Sequence, residues 1–147
     1  MNADEIWQAY TRVSDEDLAN VSYDAWQFGA SPDKLLQLVL NGTKKATASL
    51  HALYEKENEK VPEKGTYSVI LDSENVARCI IKNSKVIIQP YKDFDEEFAF
   101  IEGEGDRSLD YWRKVHDEFF KAESSMNGLE FTDESLVVGE IFEVVYK

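Results

Sequence analysis

The stretch SLVVGEIFEVVY, residues 135–146, is apolar on both sides of an extended chain. A strand of that kind must be covered on both faces. In a chain of 147 residues, enough for one domain, it predicts a barrel wall, with the barrel interior on one side and helices on the other. TYSVILD (66–72) alternates, with Tyr67, Val69 and Leu71 on one face. Ser73-Glu74-Asn75 suits a hairpin turn into VARCII (76–81), and strand character runs on through Val86-Ile87-Ile88 to Pro90. Helices are expected elsewhere. Residues 4–20 space Ile6, Trp7, Tyr10 and Val13 near a helical period. Ser31-Pro32-Asp33 offers an N-cap, a first-turn proline and an acid for the positive dipole end, and Asn41-Gly42 stops that helix. Residues 95–102 form a short helix candidate. Ser108 caps a longer one with Leu109, Trp112, His116, Phe119 and Phe120 on one apolar face. Helices, strands, helices and a last strand do not alternate as a parallel α/β sheet does. The expected class is α+β: a small β-barrel of mixed or antiparallel strands flanked by helices, as one domain over residues 1–147.

Charge narrows the function classes. The net charge is −13, from 29 acids against 16 bases. Such a chain is poorly suited to neutralising the phosphates of DNA or long RNA. The acids cluster: residues 1–30 hold six acids and one base, and residues 91–147 hold sixteen acids and six bases. Residues 31–90 are net +2 and are the stretch an anionic ligand would meet. No apolar run reaches 18 residues, so no membrane partner is expected. The N-terminus MNADEIWQAY has no signal-peptide core, and Cys79 is alone, so a reducing cytoplasm is the expected setting. In its β run, Cys79 is expected as a buried apolar filler.

Three short stretches could carry chemistry. Gly42-Thr43-Lys44-Lys45-Ala46-Thr47-Ala48-Ser49 sets an ammonium and a hydroxyl three residues apart, which share a face if the backbone is helical or tightly turned. Ile101-Glu102-Gly103-Glu104-Gly105-Asp106 holds three carboxylates alternating with two glycines, which permit close backbone approach. No second acidic or histidine cluster pairs with it by spacing, so no metal and no cofactor is expected. Trp26-Gln27-Phe28-Gly29 precedes a helix start and suits a core anchor. Trp26, Tyr67 and Tyr111 could stack on a base, although core packing is the favoured use of each. His116 is expected to pack within its helix face, and His51 to lie at the surface.

Taken together, these stretches resemble the ASCH domains of the PUA-like superfamily. The matching residues are Trp26-Gln27-Phe28-Gly29, Asp33, Leu36, Leu40-Asn41-Gly42, Lys44, Ala46-Thr47-Ala48-Ser49, Gly65, Ser68-Val69-Ile70, Phe98-Ala99, Glu102-Gly103-Glu104-Gly105-Asp106, Ser108-Leu109, Tyr111-Trp112-Arg113, His116, Phe119-Phe120, and Glu140 with Phe142-Glu143. The likeness covers residues 22–146 in order and is that of the longer bacterial form, with residues 1–21 as a helical extension. Departures include Lys45 where Thr is common, Ser49 where some small members have Arg, Asn83-Ser84 in place of a Thr pair, and Tyr91 in place of a Phe.

The resemblance implies a cleft beside the barrel, lined by the Lys/Thr motif, and a partner that is RNA or a small modified nucleoside. Some small ASCH proteins remove the acetyl group of N4-acetylcytidine with a Lys, a Thr and a Glu. Those roles fall on Lys44, Thr47 and Glu104, with Glu102 as the alternative carboxylate. Thr47 would attack or orient a water, Lys44 would act as base or oxyanion stabiliser, and Glu104 would shuttle a proton. Ser49, Lys45, Trp26, Tyr67 and Tyr111 are the candidates for holding the substrate. The competing expectations are an RNA-binding module without chemistry and, last, a ribonuclease.

Overall fold

The computed structural model describes residues 1–147. A single five-stranded sheet organises it, in the order β1-β3-β4-β5-β2. The strands are β1 (Tyr23–Trp26), β2 (Ala46–Leu50), β3 (Tyr67–Leu71), β4 (Ala77–Pro90) and β5 (Leu136–Tyr146). β1 runs parallel to β3, and every other pairing is antiparallel. Helices α1 (Ala3–Val13), α2 (Pro32–Leu40), α3 (His51–Lys56), α4 (Glu96–Glu102) and α5 (Leu109–Met126) surround it. The expected α+β class holds, with the barrel left open between edge strands β1 and β2. The sheet curls enough to bring those edges together: Phe28, just beyond β1, lies 5.4 Å from the ammonium of Lys44, just before β2.

Both sides of the sheet are buried, as a β5 with apolar residues on both faces requires. On one side, α4 and α5 cover a core of Ala46, Leu50, Tyr91, Phe94, Phe98, Ala99, Trp112, Phe120 and Val137. Gly139 of β5 faces that side, and a β-carbon there would stand 2.8 Å from both Phe94 and Phe98. On the other side, α2 packs Leu36 and Val39 against Phe28, Ile70, Cys79, Ile81 and Phe142. A third cluster sits under α1, where Ile6, Trp7 and Tyr10 meet Tyr67, Val69 and Ile80.

Three local expectations are corrected. The first helix ends at Val13 rather than at residue 20, and Leu18 is buried in the irregular segment that follows. Asn2 and Glu5 form a reciprocal capping box at its start. Ser31 has a left-handed φ of 45° and does not cap α2 through its side chain. Asp33 instead accepts from the backbone N–H and hydroxyl of Ser73, tying α2 to the β3–β4 turn. Most consequentially, ATASL (46–50) is a strand paired with β5, not a helix or turn. In a strand, neighbours point to opposite faces. Ala46, Ala48 and Leu50 therefore face the α4–α5 core, and Thr47 and Ser49 face the concave side.

Candidate functional site

Lys44 is the centre of the site. Its side chain is almost fully buried, at 2% exposure. An ammonium has three protons to donate. Here it meets three acceptors: the carbonyl of Ala46 at 2.8 Å, Glu104 Oε2 at 3.0 Å and Glu102 Oε2 at 3.3 Å. The Phe28 ring closes one flank.

The backbone explains how two carboxylates 58 and 60 residues along the chain arrive there. Helix α4 ends at Gly103, whose φ of 77° is left-handed. A β-carbon on Gly103 would lie 2.2 Å from the carbonyl oxygen of Thr43, so only glycine lets the chain pass so close to the lysine segment. The N–H of Lys45 donates to the carbonyl of Ile101 at 2.9 Å, closing the same junction.

Glu102 is the deeper acid, at 1% exposure. Its Oε1 accepts from the Trp112 indole N–H at 3.0 Å, and its Oε2 faces Lys44 and, at 3.3 Å, His116 Nε2. Burial opposes its ionisation, but the charges of Lys44 and His116 outweigh burial and hold the carboxyl well below its usual range. His116 Nδ1 lies 2.8 Å from the carbonyl of Trp112, and a carbonyl only accepts. With Nε2 facing a carboxylate as well, the ring is an imidazolium. Burial works against that charge, and Glu102 more than restores it, so the histidine pKa is raised. The ring also stacks on Trp112 at 4.2 Å. Glu104 stands nearer the rim, its side chain 14% exposed. Burial first, then the hydrogen-bonded neighbour Glu102, push its pKa up to about 7 against the pull of Lys44.

Lys44, Glu102 and Glu104 thus come together, and His116 joins them instead of merely packing, as its place on the apolar face of α5 had suggested. Glu102, Glu104 and His116 present ligand atoms within 4.8 Å of one another, a geometry that could hold a metal ion. The lysine ammonium already supplies the positive charge between the two carboxylates.

Thr47 lies on the other face of β2, where its cross-strand partner is Glu140. Ser49, on the same face, shares a 2.9 Å hydrogen bond with the Tyr54 hydroxyl. Glu140 is 6% exposed, and its Oε1 accepts from Asn83 Nδ2 at 2.9 Å. Burial is the main cause of its raised pKa, with Asp24 adding to it and the Asn83 hydrogen bond opposing. Sequence reasoning assigned neither Glu140 nor Asn83 a role. The available signal was an acid within a strand apolar on both sides.

The stacking candidates divide. Trp26 is half-buried near β1's end, edge-on to Phe28 at 5.1 Å. Tyr111 is half-buried over Gly105, where a β-carbon would stand 2.4 Å from the ring. Tyr67 is buried under α1 between Trp7 and Tyr10, with its hydroxyl donating to Glu16, and is not free to stack on a ligand. Lys45 is exposed and lines a groove of about 310 Å³ with Asn41, Gly42, Glu143 and Lys147.

Comparison with known proteins defines the class. The family model of the ASCH domain matches residues 24–146, and the chain belongs to that family. Among solved structures, it is similar to an ASCH domain from Lactobacillus crispatus JV V101, with 32% identity and a TM-score of 0.91, covering 98% of this chain and 94% of that one. It is also similar to a protein of Enterococcus faecalis V583, with 36% identity and a TM-score of 0.87, covering 97% and 87%. The curated proteins contain no match to it. No helix is long and apolar enough to cross a membrane.

Proposed function

We propose that this ASCH domain is an amidohydrolase that removes an acyl group from a modified cytidine or a similar small nucleoside, acting at the seam between β1 and β2. The observation that carries this reading is the buried ammonium of Lys44 held between two carboxylates of unequal character. Amide hydrolysis needs a fixed positive charge for the oxyanion and a group that can hold and release a proton near neutrality. Lys44 fits the first need. All three of its protons are engaged, so it acts as a charge rather than as a base, and it reaches a substrate oxygen when Glu104 gives up its place. Glu104, at the rim and with a pKa near 7, fits the second. It carries the proton to the departing nitrogen as the C–N bond breaks. Glu102 and His116 hold the lysine in position from behind. Thr47 attacks the acyl carbon or orients the water that does. Trp26 and Tyr111 remain available to stack on the base, while Ser49 and Lys45 contribute polar contacts. A net charge of −13 favours a ligand of nucleoside size over a polyanion.

The test is incubation of the purified protein with N4-acetylcytidine and measurement of cytidine release. Turnover that Thr47→Ala and Glu104→Gln both abolish supports the reading. Absence of turnover, or turnover indifferent to both changes, removes it.

A further inference from the structure

If Thr47 is the nucleophile or holds the attacking water, a proton must leave that oxygen. Lys44 cannot receive it, because its ammonium is saturated by Ala46, Glu102 and Glu104. The ladder also sends the two side chains to opposite faces of β2, and they can meet one acyl group only across the free edge of that strand, where Lys44 holds the Ala46 carbonyl.

Across the ladder stands a different acceptor. The N–H of Phe142 donates to the carbonyl of Lys45 at 2.9 Å. Bonded pairs recur every second residue in an antiparallel ladder, so Thr47 and Glu140 form the next one, with α-carbons about 5.5 Å apart. Residues directly opposite share a face, and their side chains meet. Glu140 is 94% removed from solvent, and one of its oxygens is fixed by Asn83. No protein group bonds its other oxygen, Oε2, or the Thr47 hydroxyl, and no buried polar side-chain atom is left unpaired, so both atoms remain open to solvent or to a ligand. The groups around Glu140 are Asn83 on β4, Asp24 on β1 and Tyr54 on α3. None of them is a cation. An acid buried there without a counter-ion holds a proton more readily than an exposed carboxylate does.

We infer that Glu140 is the general base of this site, with Oε2 accepting the proton of the Thr47 hydroxyl or of a water bound by it. The inference rests on the proposed hydrolysis and completes its proton inventory. The proton passes from Thr47 Oγ1 to Glu140 Oε2 as the new C–O bond forms. The carbonyl electron pair moves onto the oxygen facing Lys44. Collapse of the adduct then expels the amine, which takes its proton from Glu104. Water then attacks the acyl carbon and passes its proton to Glu104, which the amine left deprotonated, while Thr47 Oγ1 leaves with the proton held on Glu140, so that both acids and the hydroxyl are restored. Asn83 is the positioning residue: its amide pins Oε1 and leaves Oε2 as the free acceptor.

Two measurements decide this. The first is the pH profile of N4-acetylcytidine hydrolysis for the native protein, Glu140→Gln and Glu140→Asp. Glutamine preserves the acceptor for Asn83, so folding is retained and is checked by circular dichroism. The expected result is a kcat loss of about 100-fold or more for Glu140→Gln with KM nearly unchanged. Partial recovery in Glu140→Asp should accompany loss of the acid limb in the glutamine variant. A kcat within about fivefold of native overturns the base role while leaving the proposed hydrolysis standing. The second measurement needs no substrate. Thr47→Cys places a thiol at the same position, and iodoacetamide alkylation across pH reports its titration. A carboxylate facing that thiol disfavours the thiolate, so adding Glu140→Gln should move the alkylation midpoint down by about one pH unit. Coincident midpoints overturn the inference even if N4-acetylcytidine proves not to be a substrate.

Discussion

At the scale of single residues, the site is a four-charge network in which each member sets the others. Removing one partner of a buried pair leaves the remaining charge uncompensated, which typically costs 3–5 kcal/mol. Lys44→Met should therefore destabilise the fold by about 3–5 kcal/mol in urea denaturation. A change well below about 1 kcal/mol would mean that Glu102 and Glu104 do not depend on the ammonium. The network also fixes a pH dependence with a definite sign. The folded pKa of Glu104 lies above its ordinary 4.5, so its contribution to stability is complete below 4.5 and is lost as pH rises through about 7. His116, also raised, acts in the same direction: its contribution is complete below 6.5 and is lost as pH rises through its raised folded pKa. Glu102 is depressed, so its contribution is present above 4.5 and lost as pH falls further. Denaturant midpoints at pH 5 and pH 8 should show the native protein weakening on the alkaline side. Glu104→Gln should weaken less, and equal slopes for the two proteins would contradict the assignment. His116 shows why this network was not legible beforehand. It recurs at the spacing of the apolar face of α5, and nothing local distinguishes a packed imidazole from one paired with an acid fourteen residues earlier.

At the scale of elements, alternation and capping foretold much of the frame. β3, the β4 hairpin, β5 and α5 all form where their periodicities put them. β1 is not legible because four residues carry too little pattern, and its parallel partner β3 lies across two helices and another strand. β2 is not legible locally because Ala46-Thr47-Ala48-Ser49 has no strong apolar alternation, and its pairing is dictated by β5, some ninety residues away. The extended backbone removes the shared face that a helical or turned one would give Lys44 and Thr47. The junction between α4 and β2 gives a sharp prediction. Gly103→Ala sets a β-carbon against the Thr43 backbone on top of its left-handed φ, whereas Gly128, also left-handed at φ 68°, has nothing within 4 Å. Gly103→Ala should lower Tm by several degrees more than Gly128→Ala, as measured by calorimetry. Equal losses would show that the close approach is not tight.

At the scale of the whole molecule, one sheet serves three separate cores, and α1 closes one of them. Trp7 packs on Tyr10, Tyr23 and Tyr67 at 4.9–5.8 Å. Trp7→Ala should cost about 3–5 kcal/mol, measured by urea denaturation, so residues 1–21 belong structurally to the domain they precede. A loss under about 1 kcal/mol would make α1 a loosely held appendage. The uneven charge distribution is equally global: the acidic ends surround a middle that contributes Lys44. The open seam has a consequence of another kind. A curled sheet with two free edges offers unpaired backbone groups to any passing chain, and proteins that leave such edges bare tend to stack. On β2 the carbonyl of Ala46 faces outward, and the ammonium of Lys44 occupies it. The lysine that charges the cleft therefore also guards the strand beside it against self-association.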